Sequence, residues 1–162
     1  MPARNKNHCF VVILPVARKR ILMQLRDPKP RIPYPGHWGF FGGAVHAKEK
    51  AQKAAARELA EEIGYRPVVL HPLGCKTVPD LGNITIFSYC CRLDVPLKAL
   101  RLTEGVDLGL KTVKDALSRS AYSQKMRRRF PVTPSHFITD TMRQAIDCIE
   151  AAERLRQSRT SN

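Results

Sequence analysis

Short apolar runs alternate with basic or proline-rich turns in the first third of the chain. Residues 10–16 and 21–25 are apolar and are separated by the basic turn 17–20, a spacing that predicts a β-hairpin. Pro15 has no backbone N–H, so it predicts that the first strand lies at a sheet edge or carries a bulge near its end.

A proline-rich segment follows this hairpin. Residues 26–37 contain four prolines and a glycine, so we expect a stiff loop there. A loop of that length in a compact domain is more often functional than a plain connection. The apolar residues 38–41 then predict a further strand, which ends at the pair Gly42 and Gly43.

The strongest helical pattern covers residues 47–63. This segment is rich in Ala, Glu, Lys and Leu and contains no Pro or Gly, a composition that favours an α-helix. Gly64 follows at the position where a left-handed residue commonly ends a helix. We therefore predict a helix over 47–63 that Gly64 terminates.

Strands are predicted again after this helix. Residues 66–77 suit one or two short strands, and residues 83–93 are rich in β-branched and aromatic side chains, which is typical of a long strand. The turn at 81–83 predicts that the two segments form a hairpin. Residues 94–111 show no clear period, and we expect irregular structure there.

Two helices are predicted in the last third of the chain. The segment Thr112–Asp115 resembles a capping box that opens a short helix through Leu117. Thr133 and Pro134 suit the start of a longer helix to about Leu155. Its apolar positions have helical spacing, so we expect it to pack on the domain. Residues 156–162 are polar and predict a frayed tail.

Composition and length indicate a folded chain of one domain. The chain has 162 residues, of which 43% are hydrophobic and 26% charged, which is ordinary for a globular protein. The longest early apolar run, residues 10–14, is far too short for a membrane span or a signal-peptide core. We therefore expect a soluble, cytoplasmic protein that does not bind to membranes.

The cysteines argue against a disulfide framework and against a zinc site. The five cysteines are odd in number and show no C-x-x-C spacing. Cys90 and Cys91 should point to opposite faces of the predicted strand and pack as inert core residues. A reducing cytosol agrees best with this usage of cysteine.

The charge is strongly basic, with acidic residues concentrated in residues 49–62. The net charge is +14, from 28 Lys and Arg against 14 Asp and Glu. A basic body around an acidic centre suits an anionic substrate held through a metal ion. The alternative is that many of these cations only keep the protein soluble.

Three glutamates share one face of the predicted helix. Glu58, Glu61 and Glu62 stand at i, i+3 and i+4, so at about 100° per residue they cover roughly one 100° sector. Like charges at this spacing destabilise a helix unless something neutralises them, and a hard cation with oxygen ligands does so. Solvated surface glutamates are the alternative interpretation.

The spacing to residues upstream decides between these interpretations. Gly43 is followed after five residues by Glu49, and after seven more by the sequence from Arg57 to Tyr65. This pattern resembles the box of the Nudix (MutT-like) hydrolase family, and all seven of its defining positions match. Such a match by chance is on the order of 10⁻⁶ over the chain. Tyr65 departs from the aliphatic residue usual there, which affects packing more than chemistry.

The resemblance implies a fold, a reaction and a set of ligands. The implied fold is α/β, a mixed sheet between helices, and the implied cofactor is Mg²⁺, with Mn²⁺ as an alternative. Glu58 and Glu62 match the principal metal ligands, Glu61 an auxiliary one, and the Gly42 carbonyl a further one. By the same resemblance, Arg57 orients a glutamate of the site, and Glu49, Gly43 and Gly64 support the box.

The general base and the substrate-binding residues are less well defined by the sequence. In the family the base is either a box glutamate or one from a later loop, so Glu104 and Glu58 are both candidates. Arg26, Lys29 and Arg31 of the proline-rich loop could bind phosphate or ribose. Trp38 and Phe40 are candidates for stacking on a base, with a place in the core as the alternative.

Three functions agree with the resemblance. The first is hydrolysis of a nucleoside triphosphate or nucleotide sugar to release a nucleoside monophosphate, and the second is removal of pyrophosphate from an RNA 5′ end, which the net charge of +14 suggests. The third is a Nudix-like ligand-binding module without catalysis. Family members are often homodimers. The run Arg127–Arg129 could bind nucleic acid, although such a triplet is a weak signal.

Overall fold

The computed structural model describes residues 8–78 and 83–161, which form nine strands, three α-helices and one 3-10 turn. In chain order the elements are β1 (Cys9–Ala17), β2 (Arg20–Leu25), β3 (Trp38–Gly39), β4 (Phe41–Ala44), α1 (Ala51–Ile63), β5 (His71–Val78), β6 (Ile84–Arg92), the 3-10 turn (Leu97–Ala99), β7 (Asp107–Lys111), α2 (Val113–Leu117), β8 (Ser120–Ser123), β9 (Arg128–Pro131) and α3 (His136–Thr160). None of the helices in these described segments combines the length and apolar character that a membrane crossing demands.

The centre of the molecule is a mixed sheet with strand order β3-β2-β1-β6-β5. The predicted hairpin of β1 and β2 is confirmed as an antiparallel pair, and β1 also runs parallel to β6 along most of its length. Strand β4 adds to β1, and β7 adds to β2, both antiparallel. The predicted mixed α/β sheet is therefore confirmed.

The predicted edge position of β1 is wrong, because β6 pairs with one side of this strand, and β4 and β2 pair with successive parts of its other side. Its antiparallel partner β4 contacts residues up to Ile13, and its antiparallel partner β2 contacts residues from Val16 onward. Pro15 lies between the two stretches of pairing. Its missing N–H thus falls where the strand changes partner.

Helices cover both faces of this sheet and bury two apolar clusters. On one face α1 packs through Ala54, Ala55 and Leu59. On the other face α3 packs through Ile138, Met142, Ala145 and Ile149. The expectation for the adjacent cysteines is confirmed, because Cys90 and Cys91 are both fully buried and belong to opposite clusters.

Helix α1 begins later than predicted. The prediction placed its start at residue 47, but Lys48 has a φ of +63° and α1 starts at Ala51. A left-handed residue interrupts helical hydrogen bonding, which explains the later start. The predicted end is confirmed, since Gly64 has a φ of +67° and donates its N–H to the carbonyl oxygen of Ala60.

Helix α3 also differs from its prediction at both ends. Its cap is Ser135, whose side chain accepts the N–H of Phe137, and not Thr133 with Pro134. The helix continues to Thr160, so the prediction of a frayed tail from 156 is wrong for residues 156–160. The capping box of α2 at Thr112 and Asp115 is confirmed.

Two elements were absent from the sequence-based prediction. Residues 107–111 form β7 instead of irregular structure, because they pair with β2 across a large separation in sequence. Strands β8 and β9 form an antiparallel hairpin that contains Arg128 and Arg129 of the basic run. Of the turn predicted at 81–83, residues 81 and 82 lie outside the described residues.

Candidate active site

Two adjacent glycines lie in β4, shortly before the loop that leads to α1, and neither position has room for a side chain. Gly42 has a φ of +152°, and a Cβ there would lie 2.9 Å from the carbonyl carbon of Val11. A Cβ on Gly43 would lie 2.5 Å from Cδ of Glu58. The first glycine therefore permits a close approach of two backbones, and the second makes room for a carboxylate.

Arg57 connects the loop to the helix. Its guanidinium donates to both carboxylate oxygens of Glu49, at 2.9 and 3.0 Å, and to Oε1 of Glu58 at 2.7 Å. The hydrogen bonds from Arg57 and from the N–H of His46 lower the pKa of Glu49 to about 2. The pKa of Arg57 rises above its ordinary value, chiefly through Glu49. Arg57 thus positions Glu58 against Gly43.

Glu62 is an ionisable group held inside the protein. Only 7% of the surface of Glu62 is exposed to solvent. Oε2 accepts the N–H of Gly42 at 2.9 Å, and Oε1 accepts from the side-chain amide of Gln24 at 3.3 Å. Burial raises the pKa of Glu62 to about 7, against these hydrogen bonds and with a further contribution from the charges of Glu58 and Glu104. The carboxylate is therefore poorly solvated at neutral pH.

A cleft of about 260 Å³ opens beside Glu62. Its walls come from the end of β2, the proline-rich loop, Gly42 of β4, α1 and the loop before β7. The lining residues are Gln24, Arg26, Asp27, Lys29, Ile32, Gly42, Glu62, Thr103, Glu104 and Gly105. The fold thus brings five segments of the chain to one polar depression.

The loop before β7 is tied to the end of α1. Thr103 donates its backbone N–H to the carbonyl oxygen of Glu62 at 2.9 Å, and its hydroxyl lies 2.8 Å from the carbonyl oxygen of Glu61. The N–H of Gly105 donates to Asp27 at 3.3 Å. These bonds position Glu104 at the cleft, where its carboxylate makes no hydrogen bond or ion pair with any described residue.

Comparison with known proteins agrees with this geometry. The NUDIX domain family model matches residues 6–118, well over half of the chain. The chain belongs to the Nudix hydrolase family. Members of this family act on phosphoanhydride bonds and generally use divalent metal ions.

The relatives of this Nudix protein are distant. An uncharacterized Nudix hydrolase of Pseudomonas aeruginosa is 37% identical over 75 residues, which is 44% of this chain and 44% of that protein. The match thus covers less than half of that relative's length.

Solved structures resemble the whole fold. A MutT Nudix hydrolase of Burkholderia pseudomallei has a TM-score of 0.63 at 22% identity, over 85% of this chain and 96% of the other. A MutT protein of Methanosarcina mazei has a TM-score of 0.62 at 18% identity, over 88% and 94%. At these identities the likeness concerns the fold.

The oxygen donors of the Nudix site suit a divalent cation. Carboxylates and backbone carbonyls are the ligands that Mg²⁺ prefers, and Mg²⁺ is usually held by one or two carboxylates together with waters and substrate phosphates. Glu58 and Glu62 supply such a pair, with one carboxylate in the space that Gly43 leaves and the other desolvated. Burial raises the pKa of Glu62, with a smaller contribution from the charges of Glu58 and Glu104, and a bound cation would offset both by favouring the ionised carboxylate.

The three glutamates do not form one metal-binding cluster in this structure. Over residues 8–78 and 83–161, no three His, Cys, Asp or Glu side chains are grouped closely enough to hold a metal. The side chain of Glu61 is 60% exposed and contacts Arg57 at 3.4 Å. Its part as an auxiliary ligand, like that of the Gly42 carbonyl, stays a prediction.

The aromatic candidates lie away from the cleft. Trp38 is completely buried, its Nε1 donates to the carbonyl oxygen of Ala121 at 3.1 Å, and the ammonium of Lys111 lies 3.8 Å from its ring centre. Phe40 is buried against Phe137. Both positions support the alternative of a place in the core, whereas Arg26 does line the cleft.

Sequence reasoning missed Gln24, Asp27 and Thr103. Gln24 carried a signal, because it is the one polar residue inside the apolar run 21–25 and the structure buries it. A polar residue in such a run requires a hydrogen-bond partner, which here is Glu62. Asp27 and Thr103 carried none, since surface loops commonly contain such residues.

Proposed function

We propose that this protein is a magnesium-dependent pyrophosphohydrolase that cleaves the diphosphate linkage of a nucleoside triphosphate or a nucleotide sugar and releases a nucleoside monophosphate. One observation carries the proposal: the buried carboxylate of Glu62, held by Gly42 and Gln24, faces a polar cleft next to Glu58. A buried carboxylate with a strongly raised pKa in a cleft is a common feature of functional sites.

The chain's own residues prepare this site for a metal-bound diphosphate. Arg57 holds Glu58 in one orientation, and Gly42 with Gln24 does the same for Glu62. Glu58 and Glu62 would hold Mg²⁺, which when bound would supply charge that screens the phosphate oxygens and lowers the pKa of an attacking water. Fixed carboxylates need no reorganisation when the substrate arrives.

Hydrolysis requires a base that takes a proton from the attacking water. The water oxygen forms a bond to phosphorus, the bridging P–O bond breaks, and the leaving phosphate keeps the bonding electrons. Glu104 is the first candidate for the base, because it lines the cleft and has no described partner. Glu58 is the second, although Arg57 already occupies its Oε1.

Arg26 is the best candidate for a phosphate contact. Its Nε is buried at the wall of the cleft and has no hydrogen-bond partner among the described residues. An unsatisfied buried donor is costly, which favours an anionic partner from the substrate. Since no aromatic residue lines this cleft within the described residues, the substrate is bound mainly through its phosphates.

The decisive experiment is a screen of nucleoside triphosphates and nucleotide sugars with Mg²⁺ and with Mn²⁺, measuring released phosphate and monophosphate. Removal of the general base should lower kcat by about 10²- to 10⁴-fold. Glu104→Gln should lower kcat in this way without changing the Mg²⁺ concentration that gives half-maximal activity, whereas Glu58→Gln should raise that concentration, because Glu58 is also a proposed metal ligand. Glu153→Gln on α3 serves as a control and should keep full activity.

Two other functions give different results in the same screen. A ligand-binding module would hydrolyse none of these compounds with either metal. An RNA 5′-pyrophosphohydrolase would hydrolyse 5′-triphosphorylated RNA, and its rate would fall steeply with salt. A cytoplasmic location and a homodimer stay predictions, to be checked by cell fractionation and by light scattering.

A further inference from the structure

We propose that the β8–β9 hairpin is a binding surface for single-stranded nucleic acid, apart from the catalytic cleft and independent of the proposed hydrolysis. The hairpin and its surroundings concentrate the positive charge of the chain. Residues 111–131 contain seven Lys and Arg against a single Asp. A cluster of this kind is the electrostatic footprint expected of a surface that contacts phosphates.

Three of the four cations at the tip and second strand of the hairpin, residues 124–129, have no acidic partner. Lys125, Arg127 and Arg128 are exposed and make no ion pair with any described residue, and the Arg128 guanidinium lies 4.5 Å from the ring centre of Phe130. Arg129 differs, because it donates to Ser120 and lies 3.8 Å from a carboxylate oxygen of Asp115. Arg129 therefore stabilises the hairpin, and the other three remain available to a ligand.

The hairpin is attached rigidly to the sheet. Asp107 accepts from the hydroxyl of Ser123 at 2.6 Å, and the ammonium of Lys111 donates to the carbonyl oxygen of Tyr122. Lys111 is itself buried over the ring of Trp38. Anchoring of this kind lowers the entropy cost of binding, because the backbone that carries the cations is already held in place.

An aromatic side chain accompanies the cations. Tyr122 is 40% exposed and lies directly opposite Arg129 in the hairpin register, on the face opposite to Arg128, and β8 leads from it into the turn that carries Lys125 and Arg127. Exposed aromatic rings beside cations suit single strands, whose unstacked bases can stack on the ring while phosphates contact Lys and Arg. An acidic protein would use the charges but would gain nothing specific from the ring.

The hairpin is bonded to a residue close in sequence to the cleft, but it does not line the cleft itself. Asp107, which anchors its tip, follows the cleft residue Gly105 by two positions. No residue of the hairpin lines the described cleft. Loss of hairpin charge should therefore leave hydrolysis of a small nucleotide unchanged.

The test measures binding of fluorescent single-stranded RNA and DNA of about twelve nucleotides, in EDTA and over a range of salt concentrations. The triple variant Lys125→Ser, Arg127→Asn and Arg128→Thr removes the three cations that have no acidic partner, and Asn tolerates the φ of +54° at position 127. We expect at least tenfold weaker binding, and a plot of log affinity against log salt whose slope is smaller by about 2.

The matched control removes three exposed arginines from α3, by Arg154→Gln, Arg156→Gln and Arg159→Gln. It should bind nearly as well as the parent. Tyr122→Ser keeps the backbone carbonyl that Lys111 contacts, and we expect about fivefold weaker binding with an unchanged salt slope.

Equal losses in the hairpin and α3 variants would overturn the proposal, because binding would then follow net charge alone. Competition by poly-glutamate at the same charge concentration as the oligonucleotide would also overturn it. Hydrolysis of the small nucleotide is measured in parallel. Binding without hydrolysis by the parent would refute the proposed function and leave this inference standing.

Discussion

Replacement of Glu62 by glutamine should stabilise the metal-free protein at pH 8. The pKa of Glu62 is about 7 in the folded protein, against an ordinary value of 4.5. At about 1.36 kcal/mol per pKa unit, the buried charge costs roughly 3 kcal/mol once it is fully formed. Glutamine removes this charge but puts an NH₂ group near Gln24, at a cost of about 1 kcal/mol. The net gain is about 2 kcal/mol.

The sign of the effect depends on pH. A raised folded-state pKa means that the folded protein holds the proton more tightly than the unfolded chain. The stability linked to Glu62 is therefore fully present below pH 4.5 and is lost as the pH rises through about 7. The gain in stability of Glu62→Gln over the parent should be absent at pH 4.5, should grow as the pH rises from 4.5 to about 7, and should be complete at pH 8.

Urea unfolding in EDTA, followed by the fluorescence of the single tryptophan Trp38, measures this gain. For a chain of this size, about 2 kcal/mol corresponds to an increase in Tm of roughly 4 to 8 °C. Glu61→Gln is the control, because the side chain of Glu61 is 60% exposed and should show no such gain. Mg²⁺ should raise the Tm of the parent more than that of Glu62→Gln. The reasoning would be refuted if Glu62→Gln were no more stable than the parent at pH 8, or if its gain in stability over the parent were the same at pH 4.5 as at pH 8.

The two further predictions separate catalysis from stability. Gly43→Ala should fold but lose about 10²-fold in kcat, because its methyl group displaces only the side chain of Glu58. Gly42→Ala should instead lower the Tm, since its methyl group meets the backbone of Val11. Measurements of kcat and Tm on both variants check this, and equal Tm values for the two variants would contradict it. Tyr65→Phe should lose about 1 kcal/mol of stability with unchanged kcat, because the hydroxyl contacts Arg92 and Asp94 and not the cleft; a fall in kcat would show a catalytic link.

The sequence predicted the local parts of the site well. The spacing of Gly43, Arg57 and Glu58 identified the box, with Arg57 as the residue that orients a glutamate, and the structure places Arg57 and Gly43 against Glu58. Gly64 as the end of that helix was equally clear. Such features depend on residues close together in the chain, where helical periodicity and backbone freedom decide the outcome.

Pairings between distant segments could not be predicted in this way. Residues 107–111 show no strand pattern of their own, and only pairing with β2 makes them a strand. The same pairing brings Glu104 to the cleft, because the loop that carries it leads directly into β7. A contact of this kind depends on loop closure and packing across the whole chain, which a local pattern does not record.

The sequence alone determined the carboxylate helix, the glycines before it and the family resemblance, because these depend on spacing within one segment. Only the tertiary structure decided that Glu62 is buried while Glu61 is exposed, since burial depends on what packs against a helix face and not on the spacing along it. It likewise decided that Trp38 lies in the core and that the basic run lies in an anchored hairpin.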